Sequence, residues 1–203
     1  MLQFGLEEDR LEAGCDEAGR GCLAGPVCAA AVILDPQVEI PDLNDSKKLS
    51  KAKRTRLRPL IEKHALAWSV AMVWESEIDK INILNASIKA MHQALASLET
   101  KPEFILVDGN RFKPFGDIPH QTVIKGDGKF LNIAAASILA KTHRDAYMED
   151  LHSQFPGYNW AQNKGYPTVE HRLAVAQLGP TKHHRKSFKI KNPQLELWPV
   201  ESS

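Results

Sequence analysis

Cysteine is scarce and unpaired in this chain: Cys15, Cys22 and Cys28 are an odd number, with no C-x-x-C spacing. That excludes a disulfide framework and argues against zinc, leaving three thiols expected in the interior. Long apolar runs are also missing. None approaches the ~20 residues that span a bilayer, so no membrane partner is expected. The opening MLQFGLEEDRLEAG is acidic and lacks the basic-then-apolar order of a secretory signal. With the thiol pattern, this predicts a cytoplasmic protein. Repeats, low-complexity tracts and long polar linkers are absent as well. The 203 residues therefore read as one well-buried core with at most a small added lobe.

Net charge is only +1, but acid is missing from two places. Between Lys47 and Arg58 the basic residues stand at 47, 48, 51, 53, 54, 56 and 58. Between His171 and Leu195 they stand at 172, 182, 185, 186, 189 and 191. The rest of the chain must then be acidic. Such asymmetry suits a protein that meets a polyanion on one side, although two solvated faces would read the same way.

Short apolar stretches bounded by glycine and proline read as strands at 11–19, 26–34, 66–74, 103–110 and 121–128, the second buried on both faces. Residues 50–64 start on a serine cap and read as a helix that Pro59 kinks or breaks. Leu84, Ile88, Met91, Leu95 and Leu98 form one face of an amphipathic helix beginning near Asn82. Residues 132–152 form a long helix whose alanine-rich start permits close packing on a sheet. A shorter helix runs from a Thr168 cap to a Gly179 stop. Five strands interleaved with helices predict an α/β fold, a sheet covered by helices. The main α/β domain is assigned to 1–180 and a basic C-terminal appendage and tail to 181–203.

Three of the five strands end in carboxylates: Asp16-Glu17, Asp108-Gly109 and Asp127-Gly128. In α/β sheets, sites gather where strands end. Asp16 and Glu17 face opposite sides of a regular strand, so they converge only if it ends or bulges there. Four gathered carboxylates repel and raise one another's pKa, a conflict that a hard cation removes. Two such ions hold the attacking water and the leaving oxygen of a phosphodiester.

DEAGRG at 16–21, NDSKKLS at 44–50, DGN at 108–110, KGD at 125–127, AAASILAK at 134–141, KGYPT at 164–168 and HHRKSF at 183–188 resemble, in order, the signatures of bacterial ribonuclease HII. The resemblance covers about residues 10 to 190. It implies a ribonuclease H-like fold with a five-stranded mixed sheet. It also implies metal-dependent endonuclease activity on RNA paired with DNA and 5′ of single ribonucleotides embedded in duplex DNA, leaving 3′-hydroxyl and 5′-phosphate ends. By position, Asp16, Glu17, Asp108 and Asp127 would be the catalytic, metal-binding carboxylates, with Mg²⁺ or Mn²⁺ as the cofactor pair. Phe130 and Leu131 stand where relatives often carry small polar residues, and Cys22 where proline is common.

An enzyme that cuts only at ribose must detect a 2′-hydroxyl. Gly19-Arg20-Gly21 offers backbone groups that approach a sugar closely, and Arg20 can fork onto a phosphate. Tyr166, like its family counterpart, would meet the ribose at the junction with deoxyribose. Asn44, Ser46, Lys47, Lys141 and Arg185 are candidate phosphate contacts. His183-His184, in a basic, loop-like setting, reads as phosphate-contacting or solvent-exposed. The tail QLELW resembles the motif by which bacterial proteins dock on the replication sliding clamp, through Gln194, Leu195, Leu197 and Trp198. A monomer is expected. The rival readings are a same-fold nuclease indifferent to ribose, such as a resolvase or integrase, and a non-catalytic nucleic-acid binder.

Overall fold

A computed structural model describes residues 2–7, 9–44 and 49–190. Five strands form one sheet in the order β3-β2-β1-β4-β5, with β1 at Glu12–Ala18, β2 at Val27–Leu34, β3 at Ala65–Val73, β4 at Phe104–Asp108 and β5 at His120–Val123. β1–β2 and β2–β3 are antiparallel; β1–β4 and β4–β5 are parallel. The sheet is thus mixed. Every residue of β2 is buried, because helices cover both faces.

Alternation along β2 separates the two cores. Ala29, Ala31 and Ile33 face the helix α2 (Glu75–Ala96) with Ala90, Met91 and Leu95. Ala30, Val32 and Leu34 face α1 (Lys51–His64) and α3 (Leu131–Gln154) with Leu57, Ile61 and Ile138. Ser50 caps α1 by accepting from the Lys53 amide at 3.2 Å, and the helix runs on through Pro59 rather than breaking there. α2 is two helical pieces across Asn82, which sits at φ 65° and whose side chain accepts from the Asn85 amide at 3.1 Å. The periodicity from Asn82 onward marks the second piece. The first piece, Glu75–Ile81, is not visible in it.

α3 lies directly on β1. A Cβ on Gly14 would come 2.2 Å from the Asn132 carbonyl carbon, so strand and helix backbones touch where alanine dominates the helix. After α3 come a short helix, α4 (Trp160–Asn163), and α5 (Val169–Leu178), capped by Thr168 and stopped at Gly179 with φ 78°. Residues 180–190 return to the β1–β2 connection. There the Gly25 amide donates to the His183 carbonyl (2.9 Å) and the Arg185 amide to the Leu23 carbonyl (2.8 Å). Among the described residues, no helix is long and apolar enough to cross a membrane.

Candidate active site

Asp16 and Glu17 stand near the end of β1 and Asp108 at the end of β4, the parallel neighbour of β1. Parallel pairing brings these carboxyl ends to one edge of the sheet. β1 stays in regular register with β2 through Ala18, so no bulge turns Glu17 toward Asp16. The two nevertheless line one cleft of about 340 Å³. Asp16 Oδ1 accepts from the amide of the next residue, Glu17, at 2.7 Å. Also lining the cleft are Gly19, Arg20, Gly21, Asp108, Lys141 and Tyr166, and two residues the sequence reading missed, Arg54 and Ser137. Ser137 lies one turn before Lys141 on α3, so the i, i+4 spacing was its available signal. Arg54 lies on α1 among other basic residues, with nothing local to single it out.

The electrostatics are those of gathered acids. Burial, then Glu17 and Asp108, push the Asp16 carboxyl well above the ordinary carboxylate range; the Ser137 hydroxyl and the Glu17 amide pull the other way. Burial also raises Glu17, against the Arg20 guanidinium, whose Nη1 lies 3.0 Å from Glu17 Oε1. Glu17 Oε2 is buried without a hydrogen-bond partner. Asp108 Oδ1 accepts from the Gly126 amide at 2.6 Å. Behind them the Cys15 thiol is pushed up by burial and by both acids, which makes it inert.

Other predicted residues lie elsewhere. Asp127 is buried in the turn Gly126–Gly128 and does not line the cleft, although its turn is fastened to Asp108. Asn44 lines a separate groove with Phe4, Val38 and Leu131, away from the carboxylates. Arg185 is not placed to meet phosphate: it is 1% exposed and donates to the carbonyls of Gly19, Arg20 and Gly25. His184 is buried against His171, contrary to an exposed role, because its two ring nitrogens are taken up by Thr181 and His171. Ser46, Lys47 and the tail residues Gln194, Leu195, Leu197 and Trp198 lie outside the described residues.

Among the described residues, no three His, Cys, Asp or Glu side chains are gathered closely enough to hold an ion as they stand. The chemistry of the acids still fits one. They offer only oxygen, they repel one another, and the buried Oε2 of Glu17 lacks a partner that a cation would supply.

Comparison with known proteins fixes the class first. The Archaeoglobus fulgidus RNase HII, solved in complex with PCNA, superposes with a TM-score of 0.76 at 26% identity over 93% of this chain and all of that one. The ribonuclease H2 of Pyrococcus horikoshii OT3 gives 0.73 at 26%, over 88% and 94%. The fold is that of the ribonuclease H-like nucleases. A family model described as Ribonuclease HII matches residues 13–191, and the Ribonuclease HII of Parabacteroides distasonis is 60% identical over 97% of this chain and 99% of its own. The chain belongs to the ribonuclease HII family, and is accordingly a hydrolase of the ribonuclease H type.

Proposed function

We propose that this chain hydrolyses the RNA strand of RNA–DNA hybrids and cuts duplex DNA 5′ of embedded ribonucleotides, leaving 3′-hydroxyl and 5′-phosphate ends. The observation that carries the reading is the single cleft shared by Asp16, Glu17, Asp108, the Gly19–Gly21 segment and Tyr166. Asp16, Glu17 and Asp108 would hold Mg²⁺ or Mn²⁺, with Asp127 as a fourth ligand on the turn beside Asp108. When bound, the ions activate water and stabilise charge on the scissile phosphate. Arg20 now neutralises Glu17; an ion on that carboxylate would free its guanidinium for a phosphate oxygen. Lys141, ion-paired with Asp145 at 2.8 Å, and Arg54 line the same cleft and position the strand without reading bases. Tyr166, 37% exposed, lines the same cleft and would meet the sugar at the junction with deoxyribose.

Cleavage-site mapping tests this. A duplex with one ribonucleotide should be cut once, 5′ of that ribonucleotide, only with Mg²⁺ or Mn²⁺, while an all-DNA duplex stays intact. Equal cutting of both would establish the ribose-indifferent rival, and salt-sensitive binding without cleavage the binder.

Docking of QLELW on the replication sliding clamp is proposed alongside, supported by the A. fulgidus relative solved with PCNA. Affinity for the clamp should disappear when Leu197→Ala and Trp198→Ala are combined; unchanged affinity would remove the tail from consideration.

A further inference from the structure

We infer that Arg185 is a positioning residue for ribose recognition: it turns the peptide units of Gly19–Gly21 so that their N–H groups face the substrate cleft. The inference rests on the ribose-dependent reading above. Arg185 lies far along the chain from this segment, yet it makes four bonds to one loop. Nη2 donates to the Gly19 carbonyl (2.8 Å), Nη1 to the Arg20 carbonyl (2.9 Å), and Nε and Nη2 to the Gly25 carbonyl (3.0 and 2.8 Å). The Phe188 ring lies 5.0 Å from its guanidinium carbon. Among the described residues, Arg185 forms no ion pair. A fully buried guanidinium is costly, and here carbonyl oxygens rather than a carboxylate compensate it.

Geometry supplies the consequence. A trans peptide unit is planar, with C=O and N–H pointing opposite ways. The carbonyls of Gly19 and Arg20 point inward to Arg185, so the N–H groups of Arg20 and Gly21, in the same two units, point outward. Gly19, Arg20 and Gly21 all line the cleft, so we assign these outward donors to it. Gly21 supports the assignment independently. A Cβ there would meet nothing within 4 Å, so the fold itself does not demand glycine, and its bare Cα leaves room for a molecule outside the chain. Lysine cannot replace the fork: one ammonium on a flexible stem cannot reach three carbonyls as a guanidinium does.

The test compares affinities of the full chain for two duplexes, one with a single ribonucleotide and one all-DNA, in Ca²⁺ to suppress cleavage. Wild type should prefer the ribonucleotide duplex. Arg185→Lys should cut that preference by about fivefold or more, the loss expected for one or two misdirected donors, while all-DNA affinity stays within about twofold. Leu95→Ala, a core truncation on α2, should lower the melting temperature and leave the preference intact. A folded Arg185→Lys with the wild-type preference overturns the assignment. Absence of preference in the wild type would instead overturn the reading it rests on. Should the variant not fold, the wild type decides: the Arg20 and Gly21 amide resonances should shift more with the ribonucleotide duplex than with all-DNA. Equal shifts would sink the inference.

Discussion

A Cβ built on Gly19 would lie 2.0 Å from Nε of Arg144, and the residue sits at φ +91°. Arg144 cannot retreat easily, since it is fully buried and donates to the carbonyls of Ala24, Pro26 and Lys164. Gly19 is therefore required by the fold, whereas Gly21, two residues on, faces open space. We predict that Gly19→Ala costs roughly 1–3 kcal/mol in urea denaturation. Gly21→Ala should stay within ~0.5 kcal/mol of wild type yet weaken binding of a ribonucleotide duplex about tenfold, or ~1.4 kcal/mol. Similar stability losses for both, or intact binding by Gly21→Ala, would contradict the division. The sequence carried the glycines but not this distinction, because spacing does not say what stands opposite a missing side chain. The same limit explains Arg185. A guanidinium in a basic stretch is written identically whether it meets phosphate or the chain's own carbonyls; only the return of residues 180–190 to the β1–β2 connection decides.

Elements are positioned by contacts that sequence periodicity conveys unevenly. All five strands were legible, since β2 is a continuous apolar run and the others are short runs between breakers, but the fifth stops at Val123 rather than running to 128, so Asp127 sits in the turn after it and not at a strand end. α4 was not, being four residues long, and the first piece of α2 was hidden because Asn82 resets the helical phase. The approach of α3 to β1 was legible in its alanines. It brings Ser137 to Asp16 and depends on Gly14, whose added Cβ would meet backbone rather than a movable side chain. Gly14→Ala should lower stability by about 1–3 kcal/mol, typical of overpacking, and reduce turnover by shifting α3; a urea midpoint equal to wild type would refute this. Around α5, the Thr181 amide donates to His184 Nδ1, so the network assigns the His184 proton to Nε2, facing His171 Nε2 at 3.2 Å. Trp160 donates to that same His171 nitrogen at 3.0 Å, and His171 Nδ1 meets the Tyr166 carbonyl at 2.9 Å. Both rings are thus neutral. Burial, with His171 and His183 adding, lowers His184 to about 4. Between its ordinary 6.5 and about 4 the unfolded chain binds a proton that the folded chain does not, so stability falls as pH falls through that window. The loss is roughly 3 kcal/mol at most. Urea midpoints at pH 7, 5.5 and 4.5 should show this slope, flattened in His184→Asn. An identical slope in the variant would assign the acid lability elsewhere.

Across the whole molecule, basic residues divide between local ion pairs and the lining of the cleft. Much of the basic helix α1 is occupied locally: Lys51 pairs with Glu149, Arg56 with Asp42 and Arg58 with Glu62, while Arg54, which donates to the Leu49 carbonyl, lines the cleft. Part of the charge asymmetry read from the sequence is therefore a solvated face, and part surrounds the acids. The acids themselves are an arrangement that folding alone does not favour. Asp16 is buried beside Glu17 and Asp108, and its raised pKa means that the folded chain binds a proton more tightly than the unfolded one. Metal-free stability from this group falls as pH rises from the ordinary carboxylate range toward the folded value, opposite in sign to the histidine term. A divalent cation should reverse that at neutral pH by binding only the folded state. At pH 7 without metal, Asp16→Asn should melt about 2–4 °C above wild type, the shift expected of ~1 kcal/mol in a chain of this size. Adding Mn²⁺ should raise the wild-type melting temperature and leave the variant nearly unmoved, and the variant should not cleave. Asparagine keeps the shape and one oxygen while removing the charge, so a fall in metal-free melting temperature would mean that Asp16 is a structural hydrogen-bonding residue. An undiminished Mn²⁺ response would mean that the ion sits elsewhere; either result would remove Asp16 from the centre of the cleft's chemistry.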